Sequence, residues 1–211
     1  MRRKMLSDKR SVIGMDYGAG SRKKNNEKSV SDIARSALKP KTYAELFYRM
    51  VKHYQPSTIL ELGTSLGITT AYLHSGNPDA QIFTIEGNKA IADIAKENFQ
   101  KLEVGNTEVI IGNFNDVLPQ LLQNNPVIDF AFIDGNHRFE PTLQYFHQLL
   151  ECSHAQTILV FDDIHWSSEM EQAWKKIREH PRVVYTIDIF FLGFVFFREE
   201  FKVKQNFTIR F

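Results

Sequence analysis

Apolar and polar positions follow two different periods along the chain. Short apolar runs that favour β-strands occupy 58–62, 81–86, 107–112, 127–134 and 156–163. The segments between them carry apolar residues at three- and four-residue spacing, which predicts helices. Two later runs, 182–187 and 190–198, have no helix between them and predict an antiparallel pair. The predicted fold class is α/β: a Rossmann-like, doubly wound sheet of seven mostly parallel strands, closed by that pair, with helices on both faces.

The pattern before the first of these strands is different. Residues 1–29 are polar and basic and predict a flexible arm or loop. Helices are expected next at 29–39 and 42–54. We therefore divide the chain into an N-terminal extension with one helix, residues 1–41, which is a candidate flap or arm, and a main domain, residues 42–211.

Two capping-box sequences predict where helices begin. Thr42 with Glu45 fits the start of the helix at 42–54, and Ser168 with Glu171 fits the start of a helix at 169–179. Asn88 is a suitable cap for a helix that follows the strand at 81–86.

Composition and charge narrow the class of protein. The 211 residues include 26 basic and 25 acidic side chains, so no excess of positive charge indicates nucleic-acid binding. The longest apolar run, 189–197, is too short to span a membrane. A single cysteine, Cys152, excludes an internal disulfide, and the start of the chain has no apolar signal core. These features predict a cytoplasmic protein without a membrane or nucleic-acid partner.

Two glycine-rich stretches compete for a nucleotide-binding role. A phosphate or nucleoside loop has to leave a buried strand and enter a helix, so that backbone N–H groups face the ligand. The stretch at 60–67, LELGTSLG, meets this condition, and Glu86 ends the next strand at the spacing expected for a ribose-binding acid. The stretch at 15–21, MDYGAGS, has neither flank. We interpret it as a turn, with a flap that brings Tyr17 or Arg22 to a substrate as the alternative.

The stretch LELGTSLGITTAYL resembles the first motif of class I S-adenosylmethionine-dependent methyltransferases, in which an acidic residue precedes glycine, a small residue and another glycine. The closing strand pair is similar to the last two strands of that fold, so residues 42–211 are identified as a class I methyltransferase domain. Ser65 replaces the middle glycine that NAD enzymes require. The resemblance implies that the following residues bind the cofactor: Glu61, Gly63, Thr64, Ser65, Gly67, Glu86, Gly112, Asn113 and Asp134.

Individual roles also follow from the resemblance. Glu61 and Gly63 would approach the methionine part of the cofactor, Glu86 would accept hydrogen bonds from both ribose hydroxyls, and Asn113 would lie beside the adenine. The family usually has an acidic residue at the position of Asn113, so this chain departs from the pattern there.

The ends of the fourth and fifth predicted strands carry acidic and imidazole side chains. The sequence FIDGNHRFE supplies Asp134 and His137, and VFDDIHW supplies Asp162, Asp163 and His165. Clustered carboxylates repel one another unless a proton or cation offsets their charge, and aspartate oxygens suit Mg²⁺.

This arrangement resembles metal-dependent O-methyltransferases of small molecules, in particular the macrolide-sugar type. The resemblance implies that Asp134, Asp162 and Asp163 hold the metal and that Asp134 and His137 are catalytic, with His137 as the base. We expect His165 to be structural or to line the substrate site, and we expect Trp166 to be a packing residue or the floor of an acceptor pocket. The remaining histidines receive no role.

The leading hypothesis is a methyltransferase that uses S-adenosyl-L-methionine, assisted by a divalent metal such as Mg²⁺, on a hydroxyl of a small-molecule acceptor. One alternative keeps the cofactor without the metal and methylates another kind of acceptor. A second alternative is a non-catalytic cofactor-binding or interaction protein with the same fold. A homodimer through the N-terminal helices is also left open, and the sequence does not identify the acceptor.

Overall fold

The computed structural model describes residues 1–13, 27–125, 127–198, 200 and 202–211. These residues form two compact units, Met1–Val117 and Leu118–Phe211. The glycine-rich stretch at 15–21, with the flap alternative for Tyr17 and Arg22, lies outside the described residues. No helix in the described part of the chain is long and apolar enough to cross a membrane.

The first unit combines an N-terminal segment with the beginning of the strand–helix alternation. Its elements are α1 (Arg2–Leu6), β1 (Ser11–Val12), β2 (Lys28–Ser29), α2 (Val30–Ala37), α3 (Lys41–Tyr54), β3 (Thr58–Leu62), α4 (Ile68–Gly76), β4 (Gln81–Glu86), α5 (Lys89–Leu102) and β5 (Thr107–Ile111). Strands β3, β4 and β5 are parallel and adjacent in that order. The apolar runs of β3 and β4 are almost wholly buried, as expected for strands covered on both faces. The unit boundary falls within α6 (Phe114–Asn124).

The second unit contains β6 (Phe130–Ile133), α7 (Phe139–Glu151), β7 (Ile158–Asp162), α8 (Ser168–Glu179), β8 (Tyr185–Asp188), β9 (Leu192–Phe196) and β10 (Gln205–Thr208). Strands β6 and β7 are parallel, and β9 pairs antiparallel with both β7 and β8. The predicted antiparallel strand pair is therefore confirmed. The structure also adds β10, which pairs parallel with β8 and was not among the seven predicted strands.

Helix starts were predicted less accurately than the helices themselves. The cap at Asn88 is confirmed, because its side chain accepts hydrogen bonds from the N–H groups of Ala90 and Ile91. Thr42 is not a cap, because α3 begins one residue earlier, at Lys41, and its N-cap residue is Pro40, which makes no side-chain capping hydrogen bond. The cap of α8 is Ser167, one residue before the predicted Ser168.

The N-terminal segment differs most from its prediction. Residues 1–29 were expected to form a flexible arm or loop, but the described part contains α1 and the antiparallel pair of β1 and β2. Apolar side chains of this segment and of α2 join a buried cluster with residues of the main fold; its members are Met5, Val12, Val30, Ile33, Ala34, Leu66, Ile68 and Ile94. The prediction of an arm was wrong for these residues, because a few widely spaced apolar side chains anchor the segment. The division at residues 41 and 42 stays a prediction.

Candidate functional site

The glycine-rich loop between β3 and α4 has an unusual backbone. Gly63, Ser65 and Gly67 have φ values of 102°, 48° and 76°. The N–H groups of Gly63 and Thr64 both donate to the carbonyl oxygen of Ile85, at 2.9 and 3.1 Å, so the loop turns tightly over the end of β4. The predicted strand–loop–helix context of the 63–67 stretch is confirmed.

Gly67 is required by two independent features of this loop. Its φ of +76° is a left-handed conformation that favours glycine. A Cβ atom at this position would lie 2.5 Å from the Cε1 atom of Phe99 on α5. The loop can therefore approach α5 this closely only because residue 67 has no side chain.

Glu86 links the end of β4 to the glycine loop. The N–H of Ser65 donates to its Oε2 atom and the N–H of Asn88 to its Oε1 atom, each at 2.9 Å. Leu62 lies opposite Ile85 in the parallel register, which brings the loop beside Glu86. An ionised carboxylate has about four acceptor positions, so Glu86 can also accept hydrogen bonds from a ligand hydroxyl.

Glu61 lies beneath the loop and is fully buried. Its Oε2 atom accepts hydrogen bonds from the hydroxyls of Thr70 at 2.5 Å and Thr84 at 2.6 Å. Thr84 in turn shares a 2.6 Å hydrogen bond with Thr64. These contacts connect β3, β4, the loop and α4. They give Glu61 an internal bracing function, and its contact with the methionine part of a cofactor stays a prediction.

Gly112 and Asn113 follow β5. The N–H of Gly112 donates to the carbonyl oxygen of Glu86 at 3.0 Å, which holds this turn next to the end of β4. The side-chain oxygen of Asn113 accepts a 2.9 Å hydrogen bond from the N–H of Asn115 at the start of α6. The side-chain oxygen of Asn113 is therefore already engaged at the start of a helix, and the position of Asn113 beside an adenine stays a prediction.

A second group of candidate residues lies in the second unit, after β6 and β7. Asp134, His137 and Asp162 each offer one ligand atom, and these atoms lie within 4.8 Å of one another. The Nε2 atom of His137 is 3.5 Å from Asp134 and 4.0 Å from Asp163. Asp162 is 1% exposed, whereas the other members are partly exposed. We call Asp134, His137 and Asp162 the acidic cluster.

The backbone beside the acidic cluster is also constrained. Asn136 and Asp163 have positive φ values of 61° and 53°, which non-glycine residues seldom adopt. The Nδ2 group of Asn136 donates to the hydroxyl of Tyr145 at 3.0 Å, and burial raises the pKa of that hydroxyl. Such strained positions persist where the surrounding structure fixes them, and they are common at functional sites.

His165 is held by a carboxylate that the sequence analysis missed. Its Nε2 atom is 2.9 Å from Asp188, and its Nδ1 atom is 3.4 Å from Glu171. Asp188 is buried and also accepts hydrogen bonds from the indole N–H of Trp174 and the backbone N–H of Phe190. The signal for Asp188 was a single acid within the apolar stretch at 185–197. These contacts agree with the expected structural role of His165.

Exposed aromatic side chains lie beside His165. Trp166 is 72% exposed and Phe190 is 63% exposed, and the Phe190 ring stacks on His165 with centroids 5.6 Å apart. Trp166 is therefore not a packing residue in this structure. Two other histidines, which received no role, have structural partners: His74 accepts a hydrogen bond from the N–H of Gly105, and His154 pairs with Asp129.

The sequence around the glycine loop and the acidic cluster is similar to that of known proteins. Residues 60–164 match the sequence model of the methyltransferase domain family. This range begins within β3 and includes the glycine loop, Glu86 and the acidic cluster. The chain is also similar to O-methyltransferase imqG of Aspergillus flavus, with 32% identity over 111 residues, 50% of this chain and 44% of that protein. The chain thus spans less than half the length of this curated relative.

Solved structures support the fold of the methyltransferase domain. Cofactor-bound Rv0187 from MTB matches with a TM-score of 0.70 and 21% identity over 78% of this chain and 83% of that chain. The O-methyltransferase from Bacillus cereus in complex with SAH matches with a TM-score of 0.65 and 22% identity over 76% and 83%. The fold is therefore α/β and Rossmann-like, mostly parallel, with antiparallel strands towards the C-terminus, as predicted.

Proposed function

We propose that this protein is an S-adenosylmethionine-dependent methyltransferase that transfers a methyl group to a hydroxyl of a small molecule. The observation that carries the proposal is the link between Ser65 and Glu86, which joins a glycine loop to an acidic strand end within a methyltransferase domain. The B. cereus structure contains SAH, the product form of that cofactor. The name of the A. flavus relative supports a hydroxyl acceptor.

The first unit supplies the proposed cofactor site. The first backbone N–H groups of α4, which begins at Ile68, favour a polar ligand. Glu86 would accept hydrogen bonds from the ribose hydroxyls in addition to those that it accepts from the N–H groups of Ser65 and Asn88. Asn113 and Gly112 would border the adenine, and Glu61 would act through the loop that it braces.

The acidic cluster would bind the acceptor hydroxyl. Its two carboxylates and one imidazole fit a divalent ion, since three ligand atoms of suitable chemistry lie within 4.8 Å of one another. A bound ion would lower the pKa of an acceptor hydroxyl and orient it. Asp163, proposed as a further ligand, lies 4.0 Å from His137.

His137 has two chemically distinct roles open to it. As a base, a neutral imidazole would accept the hydroxyl proton while the hydroxyl oxygen forms its bond to the sulfonium methyl and the carbon–sulfur bond breaks. As a metal ligand, the same nitrogen would be occupied. We propose the base role, in which Asp134 and Asp162 remain as the oxygen ligands of the cluster and Asp163 is a proposed third ligand. Most of the rate would come from positioning.

Calorimetric titration with S-adenosylmethionine tests the cofactor assignment. We expect micromolar binding by the wild type and a loss of at least about tenfold in Glu86→Ala, because a lost charged hydrogen bond costs about 1.5–3 kcal/mol. Glu108→Ala removes an exposed carboxylate of the same unit and serves as the matched control. No binding by folded wild-type protein would overturn the proposal and favour the non-catalytic alternative.

A Mg²⁺ titration tests the acidic cluster separately. We expect a binding heat that EDTA removes and that Asp162→Asn abolishes. His137→Gln should keep this heat if His137 is the base and lose it if His137 is a ligand. Absence of Mg²⁺ binding in a wild type that binds S-adenosylmethionine would favour the metal-independent alternative. The homodimer also stays a prediction.

A further inference from the structure

The N-terminal segment shares a hydrophobic core with the glycine loop. We define the N-terminal clamp as residues 1–13 and 27–38. Five of its apolar side chains are buried in one cluster with Leu66 of the loop, Ile68 of α4 and Ile94 of α5; they are Met5, Val12, Val30, Ile33 and Ala34. The clamp therefore packs against the glycine loop and α4, which belong to the proposed cofactor site, and against α5.

Leu66 is the residue through which this packing reaches the loop. It stands between Ser65 and Gly67, both of which have positive φ. Its side chain is fully buried in the cluster, and its carbonyl oxygen accepts a 3.0 Å hydrogen bond from the side chain of Asn98. Because Ser65 is strained, its conformation needs such support from its surroundings. The N–H of Ser65 can then point at Glu86.

The helices and strands of the clamp are short. Helix α1 has five residues and α2 has eight, well short of the length at which an isolated helix is stable in water. Its polar ties to α5 are exposed: Arg10 pairs with Glu97 at 3.0 Å, and exposed pairs of this kind contribute little. The buried cluster is thus the main source of order in the clamp.

We propose that docking of the N-terminal clamp and binding of S-adenosylmethionine are coupled through Leu66, with Val30 and Ile33 as positioning residues. This inference rests on the proposed function of the 63–67 loop. A ligand that binds the closed loop stabilises the surface on which the clamp docks, and a docked clamp favours the closed loop. Thermodynamic linkage requires the two effects to be equal in magnitude.

Calorimetry on Ile33→Ala tests the coupling in one direction. Ile177→Ala is the matched control, because it removes the same atoms from a fully buried site on α8 in the second unit. At a temperature where both variants are folded, we expect S-adenosylmethionine to bind Ile33→Ala at least about fivefold more weakly, the lower end of common allosteric couplings. Ile177→Ala should bind within about twofold of the wild type. Equal affinities in the two variants would overturn the coupling.

Hydrogen exchange tests the contact between the clamp and the loop independently of the proposed function. Without ligand, Ile33→Ala should accelerate exchange of the Ser65 and Gly67 amides, and Ile177→Ala should not. With S-adenosylmethionine, the wild type should gain protection at the amides of α2. If the wild type binds no S-adenosylmethionine, the proposed function fails. If exchange of the loop amides is unchanged in Ile33→Ala, the coupling between the clamp and the loop is refuted, whatever the protein binds. If Ile33→Ala does not fold, Val30→Ala replaces it.

Discussion

Replacing Gly67 by alanine should destabilise the first unit through two additive costs. The left-handed backbone costs an alanine roughly 1–2 kcal/mol relative to glycine. The new Cβ atom would lie 2.5 Å from Cε1 and 2.8 Å from Cζ of Phe99, and overpacking of this kind costs about 1–3 kcal/mol. We therefore expect Gly67→Ala to lower the free energy of unfolding by about 2–5 kcal/mol.

A double-mutant cycle with Phe99→Leu separates the two costs. Leucine lacks the outer ring atoms that the new Cβ would meet, so the double variant should recover the overpacking part, about 1–3 kcal/mol, but not the backbone part. Urea unfolding followed by circular dichroism measures all four proteins. The reasoning is refuted if Gly67→Ala costs less than about 1 kcal/mol, or if its cost is the same with leucine at position 99.

Two further predictions concern local structure and pH. Ser167→Ala removes the cap that accepts from the N–H of Met170 and should cost about 1 kcal/mol in urea unfolding, whereas Ser168→Ala should stay within about 0.5 kcal/mol; equal costs would disprove the assigned cap. Burial lowers the pKa of His74 below its ordinary value of 6.5. Below pH 6.5 the unfolded chain therefore binds more protons at this residue than the folded chain does. The free energy of unfolding should fall as the pH drops from 6.5 towards the lowered pKa. His74→Gln keeps an acceptor for the N–H of Gly105 and should flatten this part of the stability profile measured from pH 7.5 to 5; an unchanged profile would contradict the assignment.

The central strands and the cofactor loop could be predicted because their signals are local. Between the end of β3 and Glu86, the spacing of apolar residues and glycines predicts a turn, a helix and a strand. The structure contains each of them, as the glycine loop, α4 and β4. The same reasoning brought Asp134, His137 and Asp162 to the ends of strands, where their ligand atoms meet.

The N-terminal segment could not be predicted because its order is not local. Met5 and Val12 lie in two short apolar pairs, with Leu6 and Ile13, within a basic sequence, and no period of a helix or strand relates the two pairs. They are buried because they join a cluster with residues far along the chain, among them Leu66, Ile68 and Ile94. Sequence spacing does not report such a distant partner.

The hydrogen-bond partners of several side chains could not be predicted from the sequence either. Asp188 lies in an apolar strand, and its role depends on His165 and Trp174, which are 23 and 14 residues away. The capping residue of α8 was misassigned by one position, because Ser167 and Ser168 are both suitable by type and only the backbone geometry separates them.

Strand β10 has a consequence for how the protein behaves when its C-terminal region is shortened. It pairs with β8 from Gln205↔Tyr185 to Thr208↔Asp188 and thereby occupies the hydrogen-bonding edge of that strand. Its own residues are all exposed, and three of the four are polar. Removal of residues 203–211 would replace this polar border by the bare backbone of β8, a template on which other chains can assemble. Handling properties such as colloidal solubility and shelf life should therefore depend on a strand that carries none of the proposed chemistry.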